Sequence, residues 1–245
     1  MNPLDRAALQ TYINENIDTF HNARLRRLST INLRHILKKK NPYLFKAKNL
    51  VTADALVSSM LDAFLSSSEE ELFGQFLEGV AIFVSEMTCG GRKSSAEGID
   101  LEFDDDTTRY LIAIKSGINW GNSSQHKKLR DNFQRAVVVQ KQARSKLNIQ
   151  PVLGCCYGNA KDADNGFFVR KVGQSFWHFI SGEENLYLEL IEPIGYQATR
   201  HNEAFSAGRG ALQAQLVDDF SRDFCFPDGT IDWERLVQYN SRNRK

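Results

Sequence analysis

The sequence predicts a mixed α+β fold (α/β in the broad sense): a central mixed β-sheet flanked by helices, with a helical N-terminal region. Three observations predict it. Residues 1–66 carry apolar side chains at helical spacing, the period drops to two from Gly98, and helix and strand patterns then alternate to about residue 180. At 245 residues, 42% of them apolar and 25% charged, the chain suits one large domain with a sizeable core. Residues 1–66 are expected as a helical subregion, 68–180 as the core, and 181–245 as mostly helical.

Within the first subregion, Leu56, Val57, Met60, Leu61, Phe64 and Leu65 form one helical stripe, and Asn41-Pro42 breaks whatever precedes it, because the proline ring disfavours helix at the residue before it. Ser68-Glu-Glu-Glu71 has a capping-box pattern, which predicts a new helix carrying Leu72, Phe73, Phe76, Leu77, Val80 and Phe83 inward until Gly90-Gly91. Ile99 to Phe103 alternates, residues 104–108 are turn chemistry, and Arg109 to Lys115 is a second strand, so a β-hairpin is expected. A loop from Gly117 to Ser123 leads into a helix from Ser124 to Leu147. Strands follow at Pro151–Tyr157 and Phe167–Val172 around a loop at 158–166, and Ser175 opens the next helix.

The N-terminus is polar and acidic where a signal peptide would be basic and then apolar, and no run approaches the apolar length of a membrane-spanning helix, so a cytoplasmic protein is expected. Cys89, Cys155, Cys156 and Cys225 lack C-x-x-C spacing and read as reduced core residues, and the five histidines lack H-x-H or H-E-x-x-H spacing. Asp162 and Asp164 lack the downstream glutamate of a calcium loop. The net charge of +1 hides a segregation. Between Ile17 and Asp54, Arg24, Arg26, Arg27, Arg34, Lys38, Lys39, Lys40, Lys46 and Lys48 face only Asp18. From Gln125 to Lys146, Lys127, Lys128, Arg130, Arg135, Lys141, Arg144 and Lys146 face only Asp131. Two basic belts in a near-neutral chain suit a polyanion partner, and equally suit two solvated helix faces.

Lys115 ends the apolar run Tyr110-Leu-Ile-Ala-Ile-Lys. A buried ammonium needs carboxylates or an anion beside it, although a strand-end lysine also snorkels to water. A hairpin turning about residues 106 and 107 sets Asp100 opposite Ala113 and next to Lys115, with Glu102 on the same face. Those groups suit a magnesium site for phosphodiester hydrolysis, with hard oxygen ligands, an acidified water and a lysine to orient it. A structural salt bridge explains the same geometry.

Gly98-Ile-Asp100, followed fifteen residues after the aspartate by Lys115, resembles the D…(D/E)-x-K core of the PD-(D/E)xK nucleases. The wider chain resembles a type II restriction endonuclease that cuts partly degenerate GG/CC palindromes, through Asn41-Pro-Tyr, Phe73-Gly-Gln-Phe-Leu-Glu78, Lys115-Ser-Gly, Gly154-Cys-Cys-Tyr-Gly-Asn159, Ser175-Phe-Trp-His-Phe-Ile-Ser-Gly182 and Asp228-Gly-Thr-Ile-Asp-Trp233. The resemblance implies a restriction-endonuclease-like fold, Mg2+, double-stranded DNA as substrate and a homodimer. It implies Asp100 and Lys115 as catalytic residues. The usual acid two places before the lysine is here Ala113, and Glu78, Glu86, Glu97 and Glu102 are candidates to replace it. Glu78 is favoured as catalytic residue and metal ligand beside Asp100, since it lies on the helix before the hairpin next to a buried stripe; Glu102 is the runner-up.

DNA contacts are expected from Lys38, Lys39 and Lys40, and from Asn119, Trp120, Asn122 and Gln125 in the loop after Lys115. Lys127, Lys128, Asn159, Lys161 and Arg170 join them, Arg170 as a guanine reader. Each of these loops also fits a plain exposed turn. The competing functions are a repair or junction nuclease of the same fold and a catalytically silent DNA-binding protein.

Overall fold

The computed structural model describes residues 1–143 and 146–242. Helices α1 (Arg6–Thr30), α2 (Leu33–Lys39), α3 (Pro42–Ala47) and α4 (Ala53–Cys89) come first. They are followed by β1 (Arg92–Lys93), β2 (Leu101–Asp104), β3 (Thr108–Lys115), α5 (Ser123–Gln142), β4 (Asn148–Cys155), β5 (Ala163–Asp164) and β6 (Val169–Val172). The chain closes with α6 (Gln174–Ser181), α7 (Leu186–Glu189), α8 (Ile191–Ile194), α9 (Ala198–Phe224) and α10 (Trp233–Ser241). It divides into two compact units, Met1–Asp18 with Phe73–Tyr196, and Thr19–Leu72 with Gln197–Lys245, so the boundaries fall inside α1 and α4.

The first unit holds the predicted mixed sheet, in the order β1-β2-β3-β4-β6-β5. β2 and β3 form the antiparallel hairpin, β3, β4 and β6 run parallel, and β1 and β5 are antiparallel edges. These two-residue edge strands are too short to show a period, and sequence reading missed both. α5 covers one face: Leu129, Phe133 and Ala136, spaced at four and three residues, pack on Leu111, Ala113, Leu153 and Cys155. Phe133 has no solvent exposure, so its truncation to alanine costs about 3–5 kcal/mol.

The second unit is helical. All six residues of the predicted stripe from Leu56 to Leu65 are buried, together with Ile36, Leu37, Phe45, Leu216 and Phe220. The Asn-Pro break is also as predicted: Asn41 accepts hydrogen bonds from the Tyr43 and Leu44 amides, and Pro42 takes the first helical position, where no donor is needed.

Three sequence expectations need correction. No helix starts at Ser68, because α4 runs unbroken through it and Ser67 Oγ donates to the Ala63 carbonyl one turn back. The glutamates that imitate a cap are good helix formers and simply continue the helix. α5 ends at Gln142 and β4 begins at Asn148; Arg144, counted in the second basic belt, lies outside the described residues. Cys155 and Cys156 are core residues, whereas Cys89 and Cys225 are only partly buried. α4 is long and apolar enough to cross a membrane by length and composition, and its apolar residues serve as core in both units.

Candidate active site

The hairpin turn fixes the register on which the site depends. Asp105 Oδ1 accepts from the Thr107 and Thr108 amides at 2.8 and 2.7 Å, an Asx turn. Arg109 grips both oxygens of Asp104 at 2.7 Å across the strand pair. Leu101 therefore faces Ile112, where the β2–β3 ladder ends, and the pairing of Asp100 with Ala113 that the sequence predicts is not part of it. The Asp100 amide donates to the Ile112 carbonyl at 2.8 Å, and the Ile114 amide donates to Asp100 Oδ2 at 2.6 Å. That second bond leaves Oδ1 available and aims the carboxylate along the strand end.

Gly98, two residues before Asp100, has φ of +72°, and a Cβ there would collide with the buried carboxamide of Asn132 on α5. Asn132 Oδ1 in turn accepts from Arg135 at 2.5 Å. The segment leading to Asp100 is thus seated on α5. A signal for this existed in sequence, since Asn132 is the polar intruder in an apolar stripe.

Lys115 closes β3. Its Nζ donates to the Ile114 carbonyl at 2.9 Å, sits 4.0 Å from Asp100 Oδ2, and lies 5.5 Å from the centre of the Trp120 ring, which itself packs on His126 at 4.3 Å. Sequence reading placed Trp120 in the adjacent loop without foreseeing the contact. The parallel ladder continues past Lys115, with Cys156 N donating to the Lys115 carbonyl and Tyr157 N to the Ser116 carbonyl, both at 2.9 Å. The loops after β3 and β4 therefore leave the same edge of the sheet, the edge where open parallel sheets carry their ligands. The Tyr157 ring lies over Gly117 and takes up the space of a side chain there.

Glu78 reaches this edge from α4. One turn earlier, Gly74 lies against Ser116, with 3.6 Å between the Ser116 Cβ and the place a Cβ would take, so the helix runs close beside the strand end. Burial raises the Glu78 pKa above the ordinary carboxylate value and the Asp100 charge raises it further, while Lys93 and Lys115 oppose them. Two carboxylates and an ammonium thus feel one another at the end of β3.

The other candidates are placed differently. Glu102 is held by Arg92 at 2.8 Å and by Ser94 Oγ at 3.4 Å on the hairpin's outer edge, and Glu97 is exposed beside Lys128 and Arg135. Glu86 is exposed on α4. Asn122 and Gln125 form the reciprocal cap of α5, so their side-chain oxygens are occupied by backbone amides. Asn119, Lys127, Asn159 and Lys161 are exposed. Arg170 shares a cross-strand row with Leu153 and Ala113; its Nη2 donates to the Lys161 carbonyl at 3.2 Å, and its buried Nε has no partner. Lys38, Lys39 and Lys40 belong to the second unit.

No group of three or more His, Cys, Asp and Glu side chains that could hold a metal gathers among the described residues. The set at the strand end is smaller: Asp100, Glu78 and the Ile114 carbonyl. All three supply hard oxygens. A small divalent cation that keeps several waters and is completed by substrate phosphate takes one or two protein carboxylates, so these donors fit it. Position 113, the usual place of a second acid, is dry: Ala113 has no exposure and packs among Leu111, Leu153 and Phe133.

A hairpin-borne aspartate and lysine thus lie at the open edge of a mixed sheet, with a helical glutamate coupled to both, an arrangement that resembles the PD-(D/E)xK nucleases. The chain belongs to the family of the type II restriction endonuclease EcoO109I, whose sequence model matches residues 7–202. It is accordingly a site-specific enzyme that cuts DNA. No curated protein matches the chain significantly.

Proposed function

We propose that the enzyme hydrolyses phosphodiester bonds of double-stranded DNA at a short palindrome rich in G and C, using Mg2+, and that it works in the cytoplasm as a homodimer. Two-fold protein symmetry would match a two-fold site and give each strand one active site. The observation that carries the catalytic reading is the electrostatic coupling of Glu78 to Asp100 and Lys115 at the end of β3.

In this reading Asp100 and Glu78 hold the metal, which when bound lowers the pKa of a coordinated water and offsets charge on the phosphate. Glu102 stands as the runner-up ligand. The Ile114 amide fixes the Asp100 carboxylate. Lys115, backed by the Trp120 ring and anchored on the Ile114 carbonyl, donates to the attacking water or to a non-bridging phosphate oxygen as charge builds there. Water adds to phosphorus and the bond to the leaving ribose oxygen breaks. Burial first, and the Asp100 charge after it, raise the Glu78 pKa, and a divalent cation bound between the two carboxylates would offset both effects.

DNA would be gripped by Asn119, Trp120, Asn122, Gln125, Lys127 and Lys128 around the mouth, by Asn159, Lys161 and Arg170 beside it, and by Lys38, Lys39 and Lys40. Arg170 is the base reader in this proposal, through the guanidinium nitrogens that its one bond to the Lys161 carbonyl leaves open. Digestion of DNA of known sequence with Mg2+, followed by mapping of the ends, tests this reading. Discrete fragments with identical ends are expected. Cutting at branches or mismatches with plain duplex intact would sink it.

A further inference from the structure

The second unit carries a cavity that the cleavage chemistry does not use. It encloses about 440 Å³, and its walls include Arg34, Arg235, Arg242, Gln238, Tyr239 and Asp223. Positions 235, 238, 239 and 242 follow helical spacing, so one face of α10 and the residue that caps it point the same way, with Arg34 supplied by α2. The charge is lopsided. The acid on the lining, Asp223, is already engaged by Arg222 at 3.4 Å. Among the described residues no carboxylate lies within ion-pair distance of the Arg34, Arg235 or Arg242 guanidinium.

Several other arginines of the same unit are matched, although Arg26 and Arg200 have no ion pair among the described residues. Arg24 meets Glu69 at 2.7 Å, Arg209 meets Asp62 at 2.6 Å, and Arg222 meets Asp219 at 2.6 Å. Three unmatched guanidinium groups around one cavity repel each other, an arrangement that an anion relieves. Two of them, Arg235 and Arg242, lie beyond the residues that the family model matches.

We propose that this cavity is a phosphate site that takes a backbone phosphate of duplex DNA. Planar guanidinium forks meet tetrahedral oxyanions with paired hydrogen bonds, and the Tyr239 hydroxyl adds a donor, while the Gln238 amide nitrogen already donates to Glu234 at 3.0 Å. The source is DNA and not a small phosphorylated molecule because all three arginines are exposed. Small ligands are mostly enclosed by their pockets, whereas a phosphate projecting from a polymer needs an open, basic mouth. Such an interaction carries no sequence information. It adds affinity for any duplex and helps fix the enzyme's register on it.

The test is the salt dependence of binding to a duplex that lacks the cut sequence, for the wild type and the variant Arg34→Gln/Arg235→Gln/Arg242→Gln. The log–log slope should flatten by about 0.9 for each phosphate that the variant no longer neutralises. Binding is read without Mg2+ on a duplex that lacks the cut sequence, so the outcome does not depend on cleavage, which separates it from any failure of the active-site reading. An unchanged slope overturns the proposal. So does protection of the wild type, and not of the variant, against thermal unfolding by inorganic phosphate with the DNA slope unaltered, since that marks a free oxyanion as the ligand. If the triple variant does not fold, Arg235→Gln and Arg235→Lys serve. Weaker binding by the first with recovery in the second is expected, and equal binding by both with the wild type overturns the proposal.

Discussion

At the end of β3 the half-buried carboxylate of Glu78 has no hydrogen-bond partner among the described residues, whereas along α1 to α3 most cations already have a partner inside their own unit. Lys115 has one carbonyl, one aspartate oxygen at the 4.0 Å limit and an aromatic face. In the basic stretch, Arg24 pairs with Glu69 and lies 3.9 Å from the centre of the Phe205 ring, and Arg27 reaches Glu71. Lys39 stands over Phe64, Lys40 donates to the Ala63 carbonyl, Lys46 stands over Trp233 and Lys48 over Phe45. Charge density alone therefore does not mark a ligand site. Charge whose partners the fold does not supply is what marks one, and the two regions differ in that respect.

The largest effect expected from this contrast is at the strand end. Asp100→Asn and Lys115→Ala should each lower cleavage by about 100-fold or more, since each removes a group that acts on the reacting phosphate or its water. DNA binding and thermal unfolding should stay close to wild type, because asparagine can still accept from the Ile114 amide and Lys115 donates only to the neighbouring Ile114 carbonyl. Turnover near the wild-type rate in either purified variant would equate the two regions.

Glu78→Gln comes next. Burial and the Asp100 charge keep a proton on Glu78 above the ordinary glutamate range. Between the unfolded and the folded pKa the native state then binds more protons than the unfolded one, so without metal stability falls as pH rises through that window. Glutamine removes this slope. Above the window the metal-free variant should resist urea better than the wild type, yet gain less from added Mg2+ and cut DNA poorly. Metal and proton compete for the carboxylate, so the acid limb of wild-type cleavage should move to lower pH as Mg2+ is raised. An acid limb that does not respond to Mg2+ would take Glu78 out of the metal site; full activity in Glu78→Gln with loss in Glu102→Gln would move the role to the hairpin.

Position 113 sharpens the same point. Ala113→Glu puts a carboxylate among Leu111, Leu153 and Phe133, where burial of an unpaired charge costs several kcal/mol. It should destabilise the metal-free protein and leave Glu78→Gln inactive when the two are combined. Recovered cleavage in the double variant would show that the strand position still reaches the metal.

Much of this was legible in the sequence, for physical reasons. The hairpin register followed from the turn residues, because a period of two leaves a strand pair one freedom, and Asp104 to Thr108 removed it. The six-residue stripe from Leu56 to Leu65 was legible because burial at helical spacing has few other causes. The packing of distant segments was not: a polar residue such as Asn132 announces that it needs a partner without saying that Gly98 is the partner. The cap at Asn122 and Gln125 was written in the sequence as Asn-x-x-Gln, and it was read as DNA chemistry because amides serve both roles. Ser68 shows the converse, a capping pattern with no cap, since a motif of a few tenths of a kcal/mol per residue yields to a helix whose faces are buried on both sides of it.

In the basic stretch, Arg24→Ala should cost stability and leave DNA binding alone. The side chain is mostly buried, ion-paired and stacked, so its loss is worth about 1.5–3 kcal/mol, read from urea unfolding, with the salt slope of DNA binding unchanged. A variant as stable as the wild type but weaker on DNA would reverse the assignment of that arginine from structure to ligand.

The smallest effect is expected from replacing Lys38, Lys39 and Lys40 together by glutamine. Lys39 and Lys40 have internal contacts, and of the three only Lys38 has none among the described residues. Each phosphate neutralised contributes about 0.9 to the salt slope, so a change near ~0.9 identifies Lys38 as a single DNA-binding lysine. A change near ~2.7, three such phosphates, means that Lys39 and Lys40 leave Phe64 and the Ala63 carbonyl when DNA arrives. The internal contacts are weak enough for that exchange, because an exposed cation over an aromatic ring is worth only about 0.5–1 kcal/mol. An unchanged slope assigns all three lysines to the second unit's own surface, and leaves the exposed Arg26 and Arg34 as the cations of the basic stretch open to DNA.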